Sequence, residues 1–134
     1  MDDLYRDEIL EHYRNPHNFG TLPDADATYE GSNPLCGDRI TLSLRFDDAG
    51  GTVQEVAFTG RGCAISQASA SMLTDEIKGK PVAKVSSVTN QDVLDNLGID
   101  ISPARLKCAL LSVDTLRKAL AEHAAHAATA QAGA

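Results

Sequence analysis

The sequence predicts one domain in which strands and helices occupy separate stretches of chain. Three observations carry this: a strict two-residue alternation at Ile40, Leu42, Leu44 and Phe46, a helical stretch of small residues after Cys63, and an apolar stripe at helical spacing after Ser102-Pro103. At 134 residues with 43% apolar content, the chain has the length and the apolar supply for one core. Aromatic residues make up only 4% and Trp is absent, so aliphatic and alanine packing must fill that core.

Taken in order, Tyr5, Ile9 and Tyr13 stand four residues apart with His12 on the same side, which predicts a helix over Asp3–Tyr13. Asn15-Pro16 breaks it, and Phe19-Gly20 closes the turn. Thr21 to Gly31 is polar and contains Pro23, reading as a loop into a short strand near Ala27–Glu30. Ile40 to Phe46, with Thr41, Ser43 and Arg45 between, is a half-buried strand. Asp47 to Gly51 turns the chain, and Thr52–Thr59 returns antiparallel with Val56 and Phe58 inward. A helix is expected from just after Cys63 to before Gly79, its larger apolar members being Ile65, Met72, Leu73 and Ile77. The Ala and Ser between them allow close backbone approach. Pro81 to Leu97 suits one or two short helices. The last helix has Ser102 as N-cap and Pro103 at its first position, with Leu106, Leu110, Val113, Leu116 and Leu120 as one stripe. Cys108 lies near its start and off that stripe. From about residue 123 the chain is alanine-rich with little to bury, so a single domain over 1–134 with a frayed tail is expected.

Composition narrows the partners. A net charge of −7 repels phosphate backbones, which argues against nucleic acid. No apolar run approaches the roughly 20 residues that cross a bilayer. The first residues, MDDLYRDEIL, are acidic where a secretory signal is basic. A cytoplasmic protein with no membrane partner is therefore expected. In a reducing compartment its 3 Cys stay as thiols, leaving metal binding, sulfur chemistry or inert burial.

The positions of the thiols favour convergence. Cys36 precedes a strand in Asn33-Pro34-Leu35-Cys36-Gly37-Asp38, Cys63 follows a strand at a helix start, and Cys108 sits near the start of another helix. All three fall at element ends, where side chains meet at one pole of a small domain. Cys36 and Asp38, two apart in extended backbone, point to the same side, and Gly37 permits an unusual angle between them. Cys36, Asp38, Cys63 and Cys108 thus make a Cys₃Asp set suited to tetrahedral zinc or to an iron–sulfur cluster. Arg61, Arg105 and Lys107 would bring positive charge near two of the thiols and favour thiolates. No Cys-x-x-Cys pair is present, and a lone Cys packs as a small hydrophobe, so residue types alone leave metal site and buried thiols both open. His12 and His17 fit solvated or interface roles as well as ligation. His123 and His126 read as surface residues of the tail.

Several motifs, in order, resemble the U-type iron–sulfur assembly proteins, the IscU/SufU/NifU N-terminal family. They are Leu4–Gly20 (LYRDEILEHYRNPHNFG), Asn33–Ile40 (NPLCGDRI), Gly60–Thr74 (GRGCAISQASASMLT) with Ile77–Lys80 (IKGK), and Pro103–Leu111 (PARLKCALL). The resemblance implies an α+β fold, a small antiparallel sheet of about three strands with helices packed on one side. It carries ligand roles to Cys36, Asp38, Cys63 and Cys108. It also implies a sulfur carrier or scaffold rather than a conventional enzyme, working with a cysteine desulfurase and with downstream apo iron–sulfur proteins. By the same resemblance, Tyr5–Tyr13 and the loops around the site contact the desulfurase.

Two subtypes differ in mechanism. Cluster scaffolds hold [2Fe–2S] or iron, place His before the last Cys, and carry a Leu-Pro-Pro-Val-Lys-like chaperone-docking stretch. This chain has Lys107 before Cys108, and Ile101–Arg105 departs from that stretch. Arg105–Cys108 and Gln67–Met72 instead look like SufU-type members, zinc proteins that accept sulfur from the desulfurase. The chain lacks the insertion such members carry between the second and third Cys. The expectation is a zinc-dependent sulfur acceptor with Cys36 as the accepting thiol. The alternative is a [2Fe–2S] scaffold on the same four residues, with Cys108 accepting.

Overall fold

The computed structural model describes residues 7–34 and 37–132, with side chains as far as residue 125. In chain order the elements are α1 (Asp7–Arg14), β1 (Ala27–Asn33), β2 (Asp38–Phe46), β3 (Val53–Arg61), α2 (Ala64–Ile77), α3 (Val82–Val85), α4 (Asn90–Leu97) and α5 (Pro103–Ala132). The strands form one antiparallel sheet in the order β1-β2-β3.

Register follows from the alternation in β2. Leu42 pairs with Tyr29 on one side and Phe58 on the other, and Leu44 with Ala27 and Val56, so each pairing puts apolar side chains on one face. On that face Ile40, Leu42, Leu44 and Phe58 are essentially solvent-free. Burying each such side chain stabilises by about 1.5–3 kcal/mol. The opposite face carries Arg39–Glu30 and Arg45–Glu55 ion pairs at 3.1 and 2.5 Å, and exposed pairs of this kind contribute about 0–1 kcal/mol. α5 lies over β1 and β2, and α2 lies over β3, so the helices cover one side of the sheet. The fold is α+β.

α2 is buried along nearly its whole length, from Ile65 through Thr74. Its Ala and Ser residues let β3, α1, α4 and α5 all approach it. The buried hydroxyls have partners: Ser69 Oγ donates to the Ala109 carbonyl at 2.7 Å, and Thr74 Oγ1 to the Ser71 carbonyl at 2.7 Å. A second apolar cluster, formed by Ile9, Ile65, Ala68, Met72, Leu97, Cys108 and Ala109, joins α1 and α4 to the starts of α2 and α5.

The structure adds to the expectations or amends them at four places. In α1 only Ile9 of the proposed stripe is inside; Tyr13 is 46% exposed, and Tyr5 lies outside the described residues. The turn at Asn18–Gly20 also pairs with β3, through Gly20 N–H to the Phe58 carbonyl at 2.8 Å and Phe58 N–H to the Asn18 carbonyl at 3.0 Å. Leu106 is 38% exposed while Val113 and Leu116 are fully buried, because the start of α5 walls an open groove beside Asn33 and Pro34. Beyond residue 123 the backbone stays helical to Ala132, and His123 stacks on Phe46 with ring centroids 4.7 Å apart. No helix among the described residues is long and apolar enough to cross a membrane.

Candidate metal centre

Asp38 is the first residue of β2 and follows the inward alternation of Ile40, Leu42 and Leu44. It is 2% exposed and pairs across the sheet with Asn33. Before it, Gly37 adopts φ +74° and donates its N–H to the Asn33 carbonyl at 2.8 Å. Left-handed backbone of this kind is open to Gly at little steric cost. Cys36 itself lies outside the described residues.

Cys63 arrives from the opposite direction. β3 ends at Arg61, and Cys63 takes the N-cap position of α2 with extended backbone and no side-chain cap bond. Ser, Thr, Asp or Asn would normally use this position to hold the first helical N–H groups. Cys63 instead leaves its sulfur available, while its own N–H donates to Asp38 Oδ1 at 3.2 Å. Gly62 makes this approach possible. It adopts φ +152°, and a Cβ there would stand 2.3 Å from Asp38 Oδ1 and 2.6 Å from Ser66 Oγ.

Cys108 sits one and a half turns into α5, 3% exposed, on the side facing α1 and α2 rather than the sheet stripe. The Asn33 amide points at its sulfur, Nδ2 to Sγ 4.0 Å. Asp38, Cys63 and Cys108 each offer a ligand atom, and these atoms lie within 4.8 Å of one another. Three of the four residues singled out from the sequence therefore meet. Arg61, Arg105 and Lys107 are exposed, and among the described residues no ion pair joins them to Asp38. Asn33 and Gly62 were not singled out. Asn33 could have been found by running the inward alternation of β1 from Ala27, Tyr29 and Gly31 one step further, and Gly62 only from the three-dimensional approach of Asp38.

The donor set fits a soft or borderline cation. The buried Oδ2 of Asp38 has no hydrogen-bond partner among the described residues. A buried acceptor without a partner costs about 1–3 kcal/mol, and the two sulfurs beside it offer it no strong donor. A bound cation answers that penalty, and sulfur with carboxylate oxygen is ligand chemistry that zinc or iron accepts.

The family described as NifU-like N terminal domain matches residues 4–130. The Bacillus subtilis protein named zinc-dependent sulfurtransferase SufU is 39% identical over 139 residues, covering 91% of this chain and 92% of that protein. The Aquifex aeolicus iron–sulfur cluster assembly scaffold protein IscU is 32% identical over 123 residues, covering 92% and 78%. Among solved structures, a putative SUF-system scaffold protein from Fervidobacterium islandicum superposes with TM-score 0.69 at 29% identity, covering 88% of this chain and 97% of that one. The N-terminal NifU-like protein of Brucella abortus, at 24% identity and TM-score 0.74 over 91% and 95%, shares the fold. This chain belongs to the NifU-like N-terminal domain family.

Proposed function

We propose that this protein serves iron–sulfur cluster assembly as a zinc-dependent sulfur acceptor for a cysteine desulfurase. The single observation that supports this best is the meeting of Asp38, Cys63 and Cys108 around an orphaned carboxylate oxygen. Likeness to the Bacillus sulfurtransferase supports zinc over other cations.

In this proposal Cys36, Asp38, Cys63 and Cys108 hold the ion, which when bound keeps the thiols ionised. Cys36 accepts sulfur. Its thiolate attacks the outer sulfur of the desulfurase persulfide, a new S–S bond forms, and the old one breaks. The desulfurase Cys leaves as thiolate, and the transferred sulfur keeps its proton on Cys36; no outside oxidant or reductant is needed. Asp38 holds the Cys63 backbone N–H and so keeps the start of α2 against β2. Sulfur passes afterwards to downstream assembly proteins, and we place the protein in the cytoplasm.

Burial discriminates among the thiols. Attack needs an accessible thiolate, and Cys108 is 3% exposed, which disfavours it as the first acceptor. The scaffold alternative, with [2Fe–2S] as cargo on the same residues, draws support from the IscU relative. Metal analysis of anaerobically purified protein, paired with a desulfurase stimulation assay, tests the proposal. About one zinc per chain and loss of stimulation in Cys36→Ala are expected. Metal-free protein with full stimulation refutes it, and visible charge-transfer bands transferable to an apo-ferredoxin establish the alternative.

A further inference from the structure

The other end of α2 carries a second cluster of ligating groups that the thiolate centre does not use. His12 from α1, His17 from the following turn and Asp75 from α2 each place a ligand atom within 4.8 Å of the others. The two imidazole centroids are 4.4 Å apart. Asp75 lies about 18 Å along α2 from Cys63 at 1.5 Å rise per residue, so the two clusters are separate.

Each member is oriented by a neighbour. Nδ1 of His12 is 2.6 Å from Ser71 Oγ, a hydroxyl that also accepts the His17 backbone N–H at 2.8 Å. That fixes the His12 ring by one nitrogen and leaves Nε2 open. Asn18, in left-handed backbone at φ 57°, donates from Nδ2 to Asp75 Oδ1 at 3.0 Å and to Thr74 Oγ1 at 3.0 Å. Oδ2 of Asp75 then faces His17 Nδ1 at 2.5 Å. The Ser71 and Asn18 hydrogen bonds use the other polar atom of His12 and of Asp75, and bonds of that kind orient a ligand in metal sites. Glu8 and Glu11 on α1 add negative charge near the cluster. His17 and Asp75 are 48% and 46% exposed, so an ion can enter with its water.

We propose that His12, His17 and Asp75 form a second, solvent-facing site for a divalent transition-metal ion such as zinc. Two imidazoles and one carboxylate on one side of the ion leave coordination positions for water, the donor chemistry of an open zinc or iron site. The ion takes the place of the direct contact between His17 Nδ1 and Asp75 Oδ2.

Zinc chloride titrated into the full chain by calorimetry, with histidine ring signals followed by NMR, tests this. Wild-type protein is expected to bind one zinc equivalent more than His17→Gln or Asp75→Asn, whatever the thiolate centre holds. The His12 and His17 ring signals should shift with that equivalent. Both substitutions are at exposed positions, and circular dichroism confirms the fold of each variant. Equal stoichiometry in wild type and both variants, or ring signals unmoved by zinc, overturns the proposal and leaves the cluster as a fastening of the 15–20 turn to α2.

Discussion

Asp38→Asn changes the sign of its effect with metal, which makes it the most informative perturbation. Asp38 is 2% exposed, and Oδ2 has no hydrogen-bond partner among the described residues. Asn keeps the shape and the oxygen that accepts the Cys63 N–H, but removes a buried charge beside two sulfurs. A buried unpaired charge costs several kcal/mol and the amide N–H group that replaces it costs about 1–3 kcal/mol, so metal-free Asp38→Asn should exceed metal-free wild type by about 1–2 kcal/mol. At roughly 4 °C per kcal/mol for a chain of this size, Tm should rise by about 4–8 °C. Zinc reverses the ranking. At a hundredfold excess over Kd it stabilises wild type by about 2.7 kcal/mol, and a hundredfold weaker site in the variant yields only about 0.4 kcal/mol. Urea unfolding followed by circular dichroism, with chelator and then with zinc, measures both numbers. A metal-free variant less stable than wild type, with an unchanged response to zinc, would show that Asp38 is held for the fold and not for a cation.

Further expectations concern neighbouring positions. Gly62→Ala places a Cβ 2.3 Å from Asp38 Oδ1; backbone strain of about 1–3 kcal/mol should appear in unfolding, and zinc binding should weaken at least tenfold by competition with a chromophoric chelator. In metal-free protein Cys63 should alkylate at least tenfold faster than the buried Cys108, by peptide mass spectrometry, and zinc should protect both. Ile9→Ala, at a site of 0% exposure, should lose about 2–5 kcal/mol in urea unfolding and loosen α1 from α2. Leu106→Ala should change stability by less than about 0.5 kcal/mol, whereas Leu116→Ala should lose about 2–5 kcal/mol, because only the second side chain is inside.

The hairpin and the long helices were legible because a two-residue or helical period repeats the same instruction many times. Ile40, Leu42, Leu44 and Phe46 all point one way, and no single error can move them. Asp38 was legible from its place two residues after Cys36 and from the Asn33–Ile40 motif. Where periodicity stops short of deciding, the sequence was less informative. Leu106 fits the stripe of α5 but lies at the end of the helix beside an open groove, and helical phase alone does not say where the covering layer ends. The pairing of Asn18 and Gly20 with β3 depends on backbone groups that leave no pattern in side chains. The capping box of α4, Thr89 with Asp92, was present in the residue order and went unused. Asp75 joined His12 and His17 only through the fold, since it stands 58 residues from His17 in the chain.

The pairing of Asn18–Gly20 with Phe58, together with the bridge between Thr52 and Pro81, occupies the outer side of β3 at both its ends. Of the sheet's two margins, that leaves β1, among the described residues, as the one where a strand from another molecule finds a continuous row of backbone donors and acceptors. Growth by strand addition is therefore capped: two chains joined margin to margin have consumed the open side of each, and a third has nowhere to attach.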